Sequence, residues 1–193
     1  MADTADERRR NLASKRRYWT ALGEFVEAYA YAESMLLYFV IATARLKVEV
    51  GNALLPGART DVCIDHIRRL WEITPTAPAL MDEINDALSQ LRLVSKARNS
   101  MIHLPPYIHA DGTRMLSNAA KVHSDRKVDT FLVSVETLQD LIHDTHKISM
   151  HLLSSCVSPQ ASFDERARIF EALKRAWRYK SPQDRSTQAR KQE

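Results

Sequence analysis

The chain has 193 residues, 45% hydrophobic and 27% charged, with only 4 glycines and 7 prolines. That length suffices for one domain with its own core, and so little glycine and proline argues against a β-sandwich or a linker-rich chain. The formal net charge of +4 sits at the ends: residues 1–17 hold six basic and three acidic side chains, residues 174–193 seven basic and two acidic, and the stretch between them is acidic overall. Basic ends attract a polyanion at long range, or they are simply solvated termini. The longest uninterrupted apolar run, SMLLYFVIATA (34–44), is about half the ~20 residues of a spanning helix. The charged start MADTADERRR is followed by no apolar signal region. A cytoplasmic protein with no membrane partner is therefore expected. Cys63 and Cys156 are far apart, show no ligand spacing, and read as reduced packing residues.

Residues 16–50 predict one long helix, with Leu22, Val26, Tyr29, Leu36, Val40 and Ala44 at three- and four-residue steps. Gly51 and Asn52 form its expected stop, and LLPGART a turn. Thr60 or Asp61 then caps a second helix ending near Ile73, which TPTAP breaks. A third helix runs from Ala79 to His103 with Leu80, Ile84, Ala87, Leu88, Leu91 and Val94 as its apolar stripe. LPP ends it, because proline donates no amide and restricts the residue before it. Residues 107–131 carry a hairpin signal, ADGT, and are either a two-stranded ribbon or an ordered loop. Residues 134–156 are helical, with Ser134 and Thr137 near the cap. SPQ follows, and Ser162 opens a last helix through Tyr179. The expected architecture is all-α: an antiparallel bundle of four to five helices with a hairpin or loop insertion after the third helix. Residues 1–179 form one domain, and 180–193 are a polar tail without expected order.

The segment KARNSMIH (96–103) closes the third helix. Arg98 continues the apolar series 84, 87, 91, 94 and so points toward the core side or a partner. Asn99 and His103 lie one turn apart, while Arg98 and His103 are roughly 140° apart at ~100° per residue. Both can reach one ligand only at a groove or interface that wraps the helix end. A histidine in the last turn lies where the helix dipole favours a cation. Glu33 lies in the first helix on the stripe of Val26, Tyr29, Leu36 and Val40, where a carboxylate is costly unless paired. Either it meets Arg98 or the imidazole of His103, or it sits at the edge of the stripe facing water.

A helical bundle with Arg98-Asn99-Ser100-Met101-Ile102-His103 at the end of its third helix resembles the HEPN superfamily. That family's pattern is an arginine, four to six residues, then histidine, often with a polar residue directly after the arginine. The glutamate in the aromatic-rich segment EFVEAYAYAESMLLYFV is also similar to many members. The resemblance covers roughly residues 16–156. It implies a metal-independent endoribonuclease without a cofactor, acting as a homodimer whose two Arg/His pairs line one cleft. Its catalytic residues would be Arg98, Asn99 and His103, with Glu33 and Lys96 in supporting positions. RNA is the implied target, a defence, toxin or stress role the implied setting, and an antitoxin or operon partner the implied companion. The alternative is a non-catalytic HEPN-like module that binds a nucleotide or a partner protein.

Other readings carry less. His143, His146 and His151, with Asp140 and Asp144, have spacings that allow a metal pair, but no third ligand has clear spacing, and solvent-facing histidines are expected. Neither cysteine has an adjacent histidine to make it a nucleophile. Phosphate-loop, dinucleotide and hydrolase motifs do not occur in the sequence. Trp71 and Trp177 read as core or interface anchors.

Overall fold

The computed structural model describes residues 5–74, 78–108, 114–117, 130–156 and 173–181. Among these residues five helices dominate: α1 (Ala5–Thr43), α2 (Val48–Leu54), α3 (Thr60–Ile73), α4 (Pro78–His103) and α5 (Val135–Cys156). Among the described residues between α4 and α5 are three short strands, β1 (Pro106–Ile108), β2 (Arg114–Ser117) and β3 (Thr130–Val133). They form one antiparallel sheet in the order β1-β2-β3. Ile108 pairs with Arg114, and Arg114 pairs in turn with Val133; the expected turn ADGT (110–113) between β1 and β2 lies outside the described residues. The third strand was not foreseen. The all-α bundle with a hairpin insertion is the architecture found.

The core forms where α1, α3, α4 and α5 converge. Phe25, Leu36, Ile64, Ile67, Leu88, Leu91, Leu138, Leu141 and Ile148 are almost wholly inaccessible. On α4, Ile84, Ala87, Leu88, Leu91 and Val94 are buried as the periodicity predicts; the side chain of Leu80 lies outside the description. α4 runs antiparallel to α5: Gln90 bonds Asp144, while Asp86, one turn earlier on α4, lies near Lys147 and His151, later on α5. Tyr29 of α1 bonds Ser95 of α4. α1 and α5 lie side by side, and their C-terminal halves wall an apolar groove of about 350 Å³ with Met35, Tyr38, Ile41, Leu153 and Cys156. Cys156 is exposed at the rim of the bundle, so its expected packing role does not hold. Cys63 is buried.

Several boundaries differ from expectation. The first helix does not run to residue 50. It stops at Thr43, where Arg45 adopts a left-handed φ of 54°. Leu46 N donates to Ile41 O and Arg45 N to Ala42 O, both at 3.0 Å; this is the double closure of a Schellman turn. Gly51 then lies inside α2 rather than stopping a helix. A Cβ there would sit 2.4 Å from Ile41 Cγ1, so this glycine serves close helix approach. The N-cap of α3 is Arg59, with no side-chain cap bond. Thr60 does not cap because its hydroxyl turns inward to Glu33. At α5 the expected cap forms: Thr137 N donates to Ser134 Oγ at 3.1 Å.

Helix does not continue through Tyr179, since residues 176–181 are non-helical. Their donors go instead to acidic side chains of the bundle, as described below. The opening of the last helix at Ser162 and the tail from residue 182 lie outside the described residues. α1 also bears on the expectation about membranes. An 18-residue window within residues 8–43 reaches a mean hydropathy of 1.3, enough by length and composition for a span, and 44% of that window is buried in the bundle. A window average tolerates the isolated charges that cut a continuous run.

Candidate functional site

The last turns of α4 pass over the middle of α1. Val94 and Ala97 face the core, which leaves Arg98 half-buried at its edge. Its guanidinium carbon lies 5.5 Å from the centroid of the Tyr29 ring, and Nη1 donates to Asn99 Oδ1 at 3.1 Å. A cation on an aromatic face is worth about 0.5–1 kcal/mol when partly exposed, and more as a restraint on orientation. The ring beneath is itself fixed. Tyr29 is 3% exposed. Its hydroxyl donates to Ser95 Oγ at 3.0 Å and has Thr60 Oγ1 at 2.9 Å on its other side. Thr60 Oγ1 donates to Glu33 Oε1 at 2.9 Å. A chain of polar groups thus joins α1, α3 and α4 directly beneath Arg98. Burial raises the Tyr29 pKa, and the Glu33 carboxylate adds to the effect. The phenol therefore stays protonated and acts as a support, not as a base.

Glu33 is half-buried and bonds Thr60; among the described residues it makes no ion pair with Arg98. A direct Glu33–Arg98 pair, one of the arrangements the sequence leaves open, gives way to an indirect link through Thr60 and Tyr29. A short hydroxyl satisfies the carboxylate locally, while the longer arginine finds an aromatic face. Asn99 is exposed beside Arg98. Lys96 is exposed, and its carbonyl accepts Ser100 Oγ at 3.0 Å; it lies about 200° around the helix from Arg98. His103 is exposed as the last residue of α4, about 7.5 Å along the axis from Arg98. The structure thus brings Arg98, Asn99 and Tyr29 into contact. It leaves His103, at the end of α4, and Lys96, seven residues before it on the same face, around the helix from Arg98.

Comparison with protein-family models, with curated proteins and with solved structures finds no match for this chain. The chemistry must be argued from the side chains alone. An oriented guanidinium beside an amide, with an imidazole one turn beyond, can neutralise phosphate and exchange protons. Cys63 adds no nucleophile, because burial and the nearby Glu33 carboxylate raise its pKa and keep it a thiol.

A second polar centre lies on α5. Asp144 is 0% exposed. Its Oδ2 accepts Gln90 Nε2 and Tyr179 N, both at 2.8 Å, and its Oδ1 accepts Arg178 N at 3.0 Å with His143 Nδ1 3.1 Å away. Gln90 Nε2 also donates to Tyr179 O at 3.0 Å. Lys147 donates to Arg175 O and lies 3.8 Å from the Trp177 ring centroid, while the Trp177 indole donates to Asp86 at 2.6 Å. Residues 175–179 are therefore strapped onto α4 and α5. The three histidines of α5 diverge: His143 joins Asp144, His146 is exposed, and His151 is buried at 7% against Trp177, contrary to the expectation that all face solvent. Among the described residues no group of three or more His, Cys, Asp or Glu is placed to hold a metal. Asp144 was legible in principle. It falls three residues after Leu141 and four before Ile148, on the buried stripe, where a carboxylate requires donors.

Proposed function

We propose that the protein is a metal-independent endoribonuclease that works as a homodimer, with Arg98, Asn99 and His103 of each copy in one cleft. The observation that carries this reading is the mounting of Arg98. Its guanidinium is held from below by Tyr29 and from the side by Asn99, yet keeps an open edge beside the helix end bearing His103. Such a group binds a phosphodiester in a fixed orientation, and it offsets the charge that develops on phosphorus-bound oxygens.

In the reaction, one His103 takes the proton of the ribose 2′-hydroxyl as its oxygen attacks the adjacent phosphorus. The 5′-oxygen leaves with a proton from the second His103, and a 2′,3′-cyclic phosphate remains. A single copy offers one imidazole, so the two roles require two copies. Exposed apolar side chains nearby, Val26 at 43% and Ile102 at 49%, supply surface for that assembly.

The test uses purified full-length protein and single-stranded RNA in excess EDTA. Cutting is expected, with cyclic-phosphate ends, while DNA of the same sequence survives for want of the hydroxyl. His103→Ala should abolish cutting without altering the circular-dichroism spectrum. Activity that needs added Mg²⁺ or Mn²⁺, or that survives in folded His103→Ala, would leave a non-catalytic binding module as the better account.

A further inference from the structure

The sequence marks the N-terminus as basic; the structure shows how that charge is presented. Every described side chain between Asp6 and Arg17 is exposed, and Tyr18 is the first buried residue of α1. The helix therefore extends for about 20 Å ahead of the core before it packs on anything. This arm carries Arg8, Arg9, Arg10, Lys15, Arg16 and Arg17. At ~100° per residue these fall into three pairs seven residues apart, which cover a face roughly 200° wide. Among the described residues none of the six is held in an ion pair. Asp6 lies at the tip of the arm.

At the root of the arm a further cation is added from elsewhere in the chain. Arg114, the first residue of β2, has its guanidinium carbon 4.2 Å from the Tyr18 ring centroid and 5.1 Å from that of Trp19. Trp19 is 57% exposed. The sheet also fixes where the arm lies relative to α4. β1 begins three residues after His103 and pairs with β2, so the end of α4 and the root of the arm share one end of the bundle.

We propose that the N-terminal arm of α1, with Arg114 at its root, is a binding surface for the phosphodiester backbone of nucleic acid. Paired cations along an exposed rod match a regular polyanion, and they grip charge without reading sequence. The arrangement is wrong for a lipid surface. An interfacial helix needs an apolar face opposite its charges. Here Leu12 and Trp19 lie inside the basic face, in line with Arg8 and Lys15, and the opposite side carries Asn11 and Ser14. That a strand held by the arm would be led toward His103 rests on the proposed cleavage reaction; the binding itself does not.

The experiment is fluorescence anisotropy on full-length protein at increasing potassium chloride. The probes are a labelled 2′-O-methyl oligouridylate, which has no nucleophile and cannot be cut, and a labelled oligothymidylate. Both should bind within about tenfold of one another, with affinity falling steeply with salt. The variant Arg9→Gln/Arg10→Gln/Arg16→Gln/Arg17→Gln should bind at least about tenfold more weakly and flatten the log–log salt slope by roughly 3, near 0.7 per lost phosphate contact on a single strand. Its melting temperature should match the parent, because none of the four touches the core. Lys47→Gln/Arg69→Gln, exposed cations away from the arm, should change nothing. Unchanged affinity and slope in the arm variant would overturn the proposal. So would failure of the parent to bind either probe, binding to the RNA-type probe alone, or tighter binding to phosphatidylglycerol vesicles than to either oligonucleotide. Absence of RNA cleavage would remove the nuclease reading and leave this result standing.

Discussion

Two acidic residues on apolar helix faces, Glu33 and Asp144, meet the same physical demand in different ways. Glu33 is half-buried and accepts one hydroxyl proton from Thr60. Asp144 is fully buried and accepts from Gln90 and from two consecutive main-chain amides, with His143 alongside. Their removal should therefore differ in cost. Glu33→Ala loses one hydrogen bond at a position open to water, which is worth about 1 kcal/mol; a buried ion pair with Arg98 would have made it about 3–5. Asp144→Ala leaves the amides of Arg178 and Tyr179 and the Gln90 side chain without their acceptor, at about 3 kcal/mol or more. Urea denaturation of both variants measures the contrast, and equal costs would contradict the hydrogen-bond assignments. That each acid needs a partner is written in the sequence, because both lie at helical spacing among apolar residues. Which partner it finds is not. Thr60 reads as a cap in one dimension and becomes a donor to Glu33 only when α3 lies against α1. The contact of Arg98 with Tyr29 is hidden in the same way, since 69 positions of sequence separate its two partners.

At the scale of elements, periodicity placed α3, α4 and α5 well and failed where chain geometry overrides it. The apolar pattern of α1 continues past Thr43, yet the helix turns there, because α2 must fold back onto Ile41. Arg45 and Gly51 occupy the wrong positions by simple preference: the non-glycine has the left-handed φ, and the glycine is helical. Gly51 should therefore break the usual rule for a helical glycine, whereas Arg45 should follow the usual preference for glycine at a left-handed C′ position. Alanine for glycine inside a helix ordinarily stabilises by roughly 0.5–1 kcal/mol. Gly51→Ala should instead destabilise, by about 1–3 kcal/mol, because its Cβ would fall 2.4 and 2.6 Å from Ile41 side-chain atoms in a packed contact. Arg45→Gly should stabilise by about 1 kcal/mol, through relief of the left-handed strain. Thermal melts of the two variants on either side of the parent curve would verify the turn; a stabilised Gly51→Ala would show that α2 does not pack this closely. Trp177 illustrates the remaining limit. A helical pattern through Tyr179 is real in the sequence, but acceptors and ring partners on α4 and α5 draw residues 176–179 into a strap instead.

For the whole molecule, that strap ties stability to pH through His151. The imidazole is enclosed by Trp177 of the strap, with Lys147 on its own helix and Asp86 of α4 nearby. Burial lowers its pKa to about 4; the Lys147 cation works in the same direction and Asp86 against it. An unfolded chain regains an ordinary value near 6.5. Between those limits the unfolded state binds a proton that the folded state refuses. Stability from this group is complete above about pH 6.5, falls as pH drops toward 4, and changes no further below that. The full loss is on the order of 3 kcal/mol. Carboxylates add their own losses in the acid range, so the effect must be read as a difference between proteins. His151→Gln keeps a polar side chain of similar reach and removes the titration. Chemical denaturation at several pH values between about 7 and 4 should show the parent losing more stability than His151→Gln, with the gap opening below about pH 6.5. If the strap is the first part to yield, Trp177 emission should shift to the red ahead of the loss of helical signal, since proton uptake by His151 requires the indole to lift away. Parallel stability curves for the two proteins across that range would mean that His151 is already open to water in the folded state, and that the strap does not cover it.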